Sequence, residues 1–292
     1  MRAFNFFSPE TIEEALELLN RHKDSIAVIA GGTDLVIELN EGWKKEDYVL
    51  NISQLKDLDY IRESDGMLHI GANTTFATLE QDTLIRDRYP AIASMADYMG
   101  SPQIRELGTV GGNVVSASVA GDSPTVFLAY DATVVLQSVR GTREMSIEEF
   151  NVNQGKFRCQ IAPDELLIEV KIPQASPEFA TAYRKFGKRK SLAIVVLATA
   201  LRVERDRDNR IKDARVTLGA VSLHPMRSSK IEQALIGKKL DLEELEPVLQ
   251  LYTEEIDAAI ASRPSVVYKR EGIRGLAKGC MMDILAQYGL SE

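Results

Sequence analysis

The residues best suited to chemistry in this chain are two pairs of adjacent glycines, each set among short polar side chains. The first lies in Ala30-Gly31-Gly32-Thr33-Asp34-Leu35 and the second in Thr109-Val110-Gly111-Gly112-Asn113. Adjacent glycines can take positive φ and let the backbone come close to a partner. Successive N–H groups in such a turn form an anion-binding concavity that needs no lysine. Thr33, Thr109 and Asn113 add hydroxyl and amide groups able to bond phosphate or sugar oxygens, and Asp122, with Ser116 and Ser118 nearby, can accept from sugar hydroxyls. A single motif of this kind is more often a plain turn. Two are better explained by one extended phosphate-bearing ligand held from both sides. The pattern stops at a nucleotide or dinucleotide and does not say which.

Other chemistries are excluded by what the sequence lacks. No G-x-G-x-x-G opens a helix after a strand, and neither G-x-x-x-x-G-K-[ST] nor G-x-S-x-G occurs. His22, His69 and His224 are far apart with no metal-ligand neighbour at helical spacing, so each reads as structural and no metal site is expected. Cys159 and Cys280 cannot supply the four thiolates of an iron–sulfur cluster, and two cysteines make no disulfide framework. With 35 basic and 43 acidic residues the net charge is −8, which disfavours a nucleic-acid partner. No apolar run reaches membrane-spanning length and the N-terminus turns acidic too early for a signal peptide, so a cytoplasmic protein is expected.

These motifs need elements to hold them. Ser8-Pro9 reads as a helix start, with Ile12, Ala15, Leu16 and Leu19 as its apolar stripe. A strand around 26–29 runs into the first glycine pair, and Asp34 reads as the cap of the helix that follows. The aromatics Phe4, Phe6 and Phe7 read as core. Further strands are expected at 48–52, 68–72, 133–137 and 166–172, with a partly helical stretch over 84–99 broken at Pro90. Residues 100–124, rich in Gly, Ser and Ala, read as a long structured loop. Residues 174–178 read as a domain boundary. Beyond it come strands near 182–186, 193–203 and 211–221, then helices over 228–236, 242–260 and 266–288. Gly272, Gly275 and Gly279 in the last helix read as close packing. Runs of strands followed by helices, without strict alternation, give an α+β class.

The pair A-G-G-T-D-L and T-V-G-G-N resembles the FAD-binding signature of the molybdenum hydroxylases. The chain is most similar to their separate medium subunit, as in bacterial xanthine, nicotinate and carbon monoxide dehydrogenases. The resemblance covers nearly the whole chain through SPQIR (101–105), ASVAGDSP (117–124), ELLIEVKIP (165–173), YRKFGKRKSLAI (183–194), GAVSLHPMR (219–227) and RPSVVYKR (263–270). It implies a two-lobed FAD-binding domain of the vanillyl-alcohol-oxidase type over 1–175, with lobes of about 1–55 and 56–175. A C-terminal α+β domain of antiparallel strands and helices would follow over 179–290.

By the same resemblance, Ala30, Gly31, Gly32, Thr33, Asp34, Leu35, Thr109, Gly111, Gly112, Asn113 and Ser116 surround the FAD diphosphate and neighbouring groups. Asp122 contacts the flavin nucleotide, Leu166 or Leu167 lies beside the flavin, and Lys185 lies near its ring, with Arg184 as the alternative. No catalytic residue is assigned. The implied partners are a large molybdopterin-binding subunit, a small [2Fe-2S] subunit and NAD(P)+ or another electron acceptor, with an N-heteroaromatic substrate oxidised on the partner. Two alternatives stay open: an assembly subunit without flavin, and a stand-alone FAD oxidoreductase.

Overall fold

The computed structural model describes residues 2–152, 158–189 and 194–290. Residues 190–193, which carry part of the YRKFGKRKSLAI mark and the expected start of a strand at 193, lie outside the described residues.

In chain order the elements begin with β1 (Asn5–Phe7), α1 (Ile12–His22), β2 (Ile26–Ile29), α2 (Leu35–Asn40) and β3 (Tyr48–Asn51). The hairpin β4 (Ile61–Ser64) and β5 (Met67–Gly71) follows. A helical run then comprises α3 (Phe76–Gln81), α4 (Thr83–Arg88), α5 (Pro90–Asp97), α6 (Pro102–Leu107), α7 (Val110–Ser116) and α8 (Asp122–Ala129). Next come β6 (Thr133–Ser138), β7 (Gly141–Ser146), α9 (Ile147–Phe150) and β8 (Leu166–Pro173). The remainder is β9 (Phe179–Gly187), β10 (Val195–Arg205), β11 (Ile211–Gly219), β12 (Met226–Arg227), α10 (Ser229–Leu235), α11 (Leu242–Leu245), α12 (Leu249–Ile260) and α13 (Val266–Gln287). The mixture is α+β, as expected.

The chain forms two compact units. The first comprises residues 1–78, 101–117 and 132–174; the second comprises 79–100, 118–131 and 175–292.

The first unit holds a parallel three-stranded sheet, β1-β3-β2, and an antiparallel five-stranded sheet, β4-β5-β8-β6-β7. Ala15, Leu16 and Leu19 of α1 pack with Leu50, Ile52, Leu55, Leu58 and Leu166 in one apolar cluster. The cap of α1 is Thr11 and not Ser8: its hydroxyl accepts from Glu14 N at 3.2 Å, and the Glu14 carboxylate accepts from Glu10 N. The Thr11 hydroxyl thus takes one of the orphan donors of the first turn, and Glu14 reaches back to the residue before the cap, which places the helix start three residues beyond Ser8. Phe4 and Phe7 pack on the core, whereas Phe6 is more than half exposed. The β4–β5 hairpin turns at Asp65 and Gly66, both at positive φ, the conformation a two-residue hairpin demands.

The second unit is built on the antiparallel sheet β12-β11-β10-β9. β10 is buried without interruption from Leu197 to Val203, so both of its faces are covered. Leu197, Leu201 and Val203 join residues of α12 and α13 in one core, while α8 packs against the same strand and α5 against β9. Ser228 caps α10 through Ile231 N. The expected single helix over 242–260 is interrupted by a 3-10 turn at Glu246–Val248, because Pro247 cannot continue the ladder. Among the described residues no helix is long and apolar enough to cross a membrane.

Candidate functional site

The first glycine pair sits where β2 ends. Strands β2 and β3 run parallel and adjacent, joined through α2, so the turn lies at the carboxyl end of a parallel strand. That is where open α/β sheets leave a crevice for ligands. Gly32 adopts φ +70°, a conformation costly for any residue with a Cβ. Gly31 is needed for a different reason: a Cβ there would stand 1.6 Å from the Leu107 carbonyl oxygen. The first motif therefore lies directly against the chain that leads into the second.

Among the described residues, no acceptor takes the backbone N–H groups of Gly31, Gly32, Thr33 or Asp34. Backbone donors in folded proteins are nearly always paired, so four successive free ones fit an anionic ligand. Asp34 stands at the head of α2 but makes no cap hydrogen bond, contrary to the expected capping role. Its backbone is helical (φ −104°, ψ −51°), and a cap needs extended backbone to fold its oxygen over the following amides. Its side chain is exposed instead. Ala30 is half-buried against the α1 cluster and Leu35 is buried beneath α2.

The second motif is not a loop. Residues expected to form one loop over 100–124 fold into α6, α7 and the start of α8, because Ser101 and Thr109 supply caps that composition alone does not advertise. The Thr109 hydroxyl accepts from Gly112 N at 3.1 Å, and a Cβ on Gly112 would crowd that hydroxyl at 2.9 Å. Gly111 N donates to Ala72 O at 2.8 Å, Val110 N to Thr74 O, and Asn113 N to Thr109 O. A Cβ on Gly111 would lie 2.7 Å from the Ala72 Cβ. The amides of this motif are thus spent within the protein, and its second glycine pair serves backbone packing. What it can offer a ligand is the Thr109 hydroxyl proton and the side-chain amide of half-buried Asn113. Ser116 donates to Asn113 O inside its own helix.

The segment Ala72–Phe76, which braces this motif, was missed from sequence. Asn73 is buried, with Nδ2 donating to Ile52 O at 2.6 Å and Oδ1 lacking a partner among the described residues. The hydroxyl-rich run Gly71-Ala72-Asn73-Thr74-Thr75 after a strand was the available signal. Leu166 and Leu167 are both buried; Leu166 belongs to the α1 cluster and pairs across to Gln137, with Leu167 opposite Leu136.

In the second unit, Asp122 and Lys185 are brought together. Lys185 Nζ donates to Asp122 Oδ1 at 3.0 Å and Oδ2 at 3.1 Å, and the Tyr183 phenol donates to the same carboxylate. Burial pushes the Asp122 carboxyl above its usual range, against the opposing pull of Lys185 and of the Tyr183 hydrogen bond. Arg184, on the opposite face of β9, makes a bidentate pair with Asp283 and lies over Gly279. Strand alternation thus separates the two cations that the sequence left as alternatives. Gly279, against Arg184, and Gly272, against Leu197, pack closely as expected of α13, whereas a Cβ on Gly275 would meet nothing among the described residues.

The FAD-binding domain model of molybdopterin dehydrogenases matches residues 2–175, and the C-terminal domain model of carbon monoxide dehydrogenase flavoproteins matches 181–284. The chain belongs to this family. It is 42% identical to the nicotinate dehydrogenase FAD-subunit of Eubacterium barkeri, over 98% of each chain. It is 28% identical to the glyceraldehyde dehydrogenase medium chain of Sulfolobus acidocaldarius, over 96% of this chain and 98% of that one. Its fold matches a subunit in a structure of carbon monoxide dehydrogenase from Hydrogenophaga pseudoflava, with a TM-score of 0.88 over 98% of each chain at 24% identity. The protein is therefore an FAD-binding oxidoreductase subunit of the molybdenum hydroxylase type. The amides at Gly31–Asp34, which meet no acceptor among the described residues, and the positive φ of Gly32 fit a diphosphate such as that of this cofactor.

Proposed function

We propose that this chain is the electron-transfer subunit of a molybdenum hydroxylase complex. In it, a large molybdopterin-binding subunit oxidises an N-heteroaromatic substrate of purine or nicotinate type. A small [2Fe-2S] subunit relays the electrons, and NAD(P)+ or another acceptor removes them. The observation that carries this reading is the 42% identity, end to end, with a subunit named for nicotinate dehydrogenase. The cysteine content supports the division of labour, since Cys159 and Cys280 are both buried and cannot hold a cluster.

Bound FAD supplies reversible uptake of two electrons. The chain's own residues do the rest. The N–H groups of Gly31, Gly32, Thr33 and Asp34 bind the diphosphate, and Thr109 adds a hydroxyl donor. Asp122 and Lys185 belong to the same assignment through the resemblance, as a buried pair with no net charge.

Two measurements test this. The full chain, purified and incubated with FAD, should retain it through gel filtration and show the visible absorption of bound oxidised flavin; a colourless chain overturns the reading. Anaerobic NADH or NADPH should then bleach that absorption. Failure with both would remove NAD(P)+ as acceptor and leave another in its place.

A further inference from the structure

We propose that Tyr183 is a positioning residue of the flavin site: its phenol donates to the Asp122 carboxylate and keeps the Asp122–Lys185 pair electrically neutral. The inference rests on the assignment of Asp122 and Lys185 to that site. Asp122 heads α8, while Tyr183 and Lys185 are two apart on β9 and so share one face of the sheet. All three are sealed from solvent: Asp122 is 6% exposed, Tyr183 2% and the Lys185 side chain 5%.

A carboxylate in such surroundings survives only with partners for its oxygens. Lys185 contacts both oxygens, and Tyr183 supplies a hydrogen bond to Oδ1 that the lysine alone cannot replace. The direction of that bond is settled by where the proton sits. Burial, and next the charge of Asp122, push the Tyr183 phenol well above its usual range, so it stays protonated and acts as donor. The other groups whose charge reaches the phenol are the Cys280 thiol of α13 and the Tyr98 phenol beyond α5. Burial pushes the Cys280 thiol up as well, so it stays neutral at working pH.

Take the phenol oxygen away and Asp122 keeps its burial but loses a donor. Its carboxyl then takes up a proton from solvent at higher pH than before. The pair then carries one more positive charge than in wild type. A positive charge favours a reduced, anionic flavin, so the cofactor's midpoint potential should rise.

The test compares the FAD-loaded full chain with Tyr183→Phe, which removes only the hydroxyl, and Asp122→Asn, which removes the charge at nearly constant size. Wild type should show a midpoint potential with no extra inflection between pH 6 and 9 (roughly the range in which bound flavin can be titrated). Tyr183→Phe should show a more positive potential and a new inflection. Asp122→Asn should show a more positive potential without one, and adding Tyr183→Phe to it should change nothing further. If Tyr183→Phe lowers the melting temperature but leaves the potential and its pH dependence as in wild type, Tyr183 only fills the core and the proposal is overturned. Should Tyr183→Phe fail to fold, Asp122→Asn decides alone: an unchanged potential overturns it. A wild-type chain that binds no FAD sinks the function proposed above; a wild-type chain that binds FAD with variants that titrate alike sinks only this inference.

Discussion

At the scale of the residue, the four glycines of the two motifs do different work. Gly31 gives room to a carbonyl, Gly32 gives a positive φ, Gly111 lets α7 touch Ala72, and Gly112 leaves space for the Thr109 cap. Gly31→Ala is the least tolerable, because its Cβ would fall within bonding distance of a backbone oxygen that cannot swing aside. It should cost at least about 3 kcal/mol and abolish FAD retention. Gly32→Ala meets only the movable tips of Ile29 and Val36, so its cost is the left-handed backbone, about 1–2 kcal/mol. Urea unfolding of both variants checks the order; equal destabilisation would show that Leu107 yields. Thr109→Val, which keeps the shape and deletes the cap, should cost about 1 kcal/mol.

At the scale of the element, the strand β8 depends on an ion pair at its entry. Arg143 on the edge strand β7 grips Glu165 through Nε at 2.6 Å and Nη2 at 2.8 Å, and Ala162 N donates to the same carboxylate. Burial alone would push the Glu165 carboxyl up, yet these donors outweigh it and hold it below its usual range. A depressed carboxyl contributes stability that is present above its unfolded pKa, about 4.3, and is lost as pH falls through the lower folded value. Glu165→Gln should therefore melt at lower temperature than wild type at pH 7, with the gap closing below about pH 4. Differential scanning calorimetry across that range reads it directly, and a gap constant with pH would assign the effect to packing. The elements also explain what the sequence hid. Thr109 and Ser101 turned an apparent loop into helices, and Pro247 split an apparent helix, each through one local group that an average over composition dilutes.

At the scale of the whole molecule, ligand binding and stability are linked. A cofactor that binds only the folded chain stabilises it by mass action, about 2.7 kcal/mol when FAD is present at 100 times its Kd. The melting temperature of the full chain should rise with FAD concentration and stay flat with riboflavin, which lacks the diphosphate that the Gly31–Asp34 amides would hold. An equal rise with riboflavin would remove the diphosphate from the account.

The α+β class, both glycine motifs, the strand before the first and most helices of the C-terminal half were legible in the sequence, since periodicity, glycine and proline act over a few residues. The resemblance extended this to a cofactor because its motifs recur in order along the chain. Which amides remain for a ligand was decided by tertiary structure: those of Gly31–Asp34 meet no acceptor among the described residues, while Gly111 and Val110 are taken by Ala72 and Thr74, far away in sequence. The pairing of Lys185 with Asp122, and of Arg184 with Asp283, belongs to the same class. A hydrogen bond or ion pair depends on which distant groups the fold places within about 3 Å, and residue spacing along the chain carries no record of that.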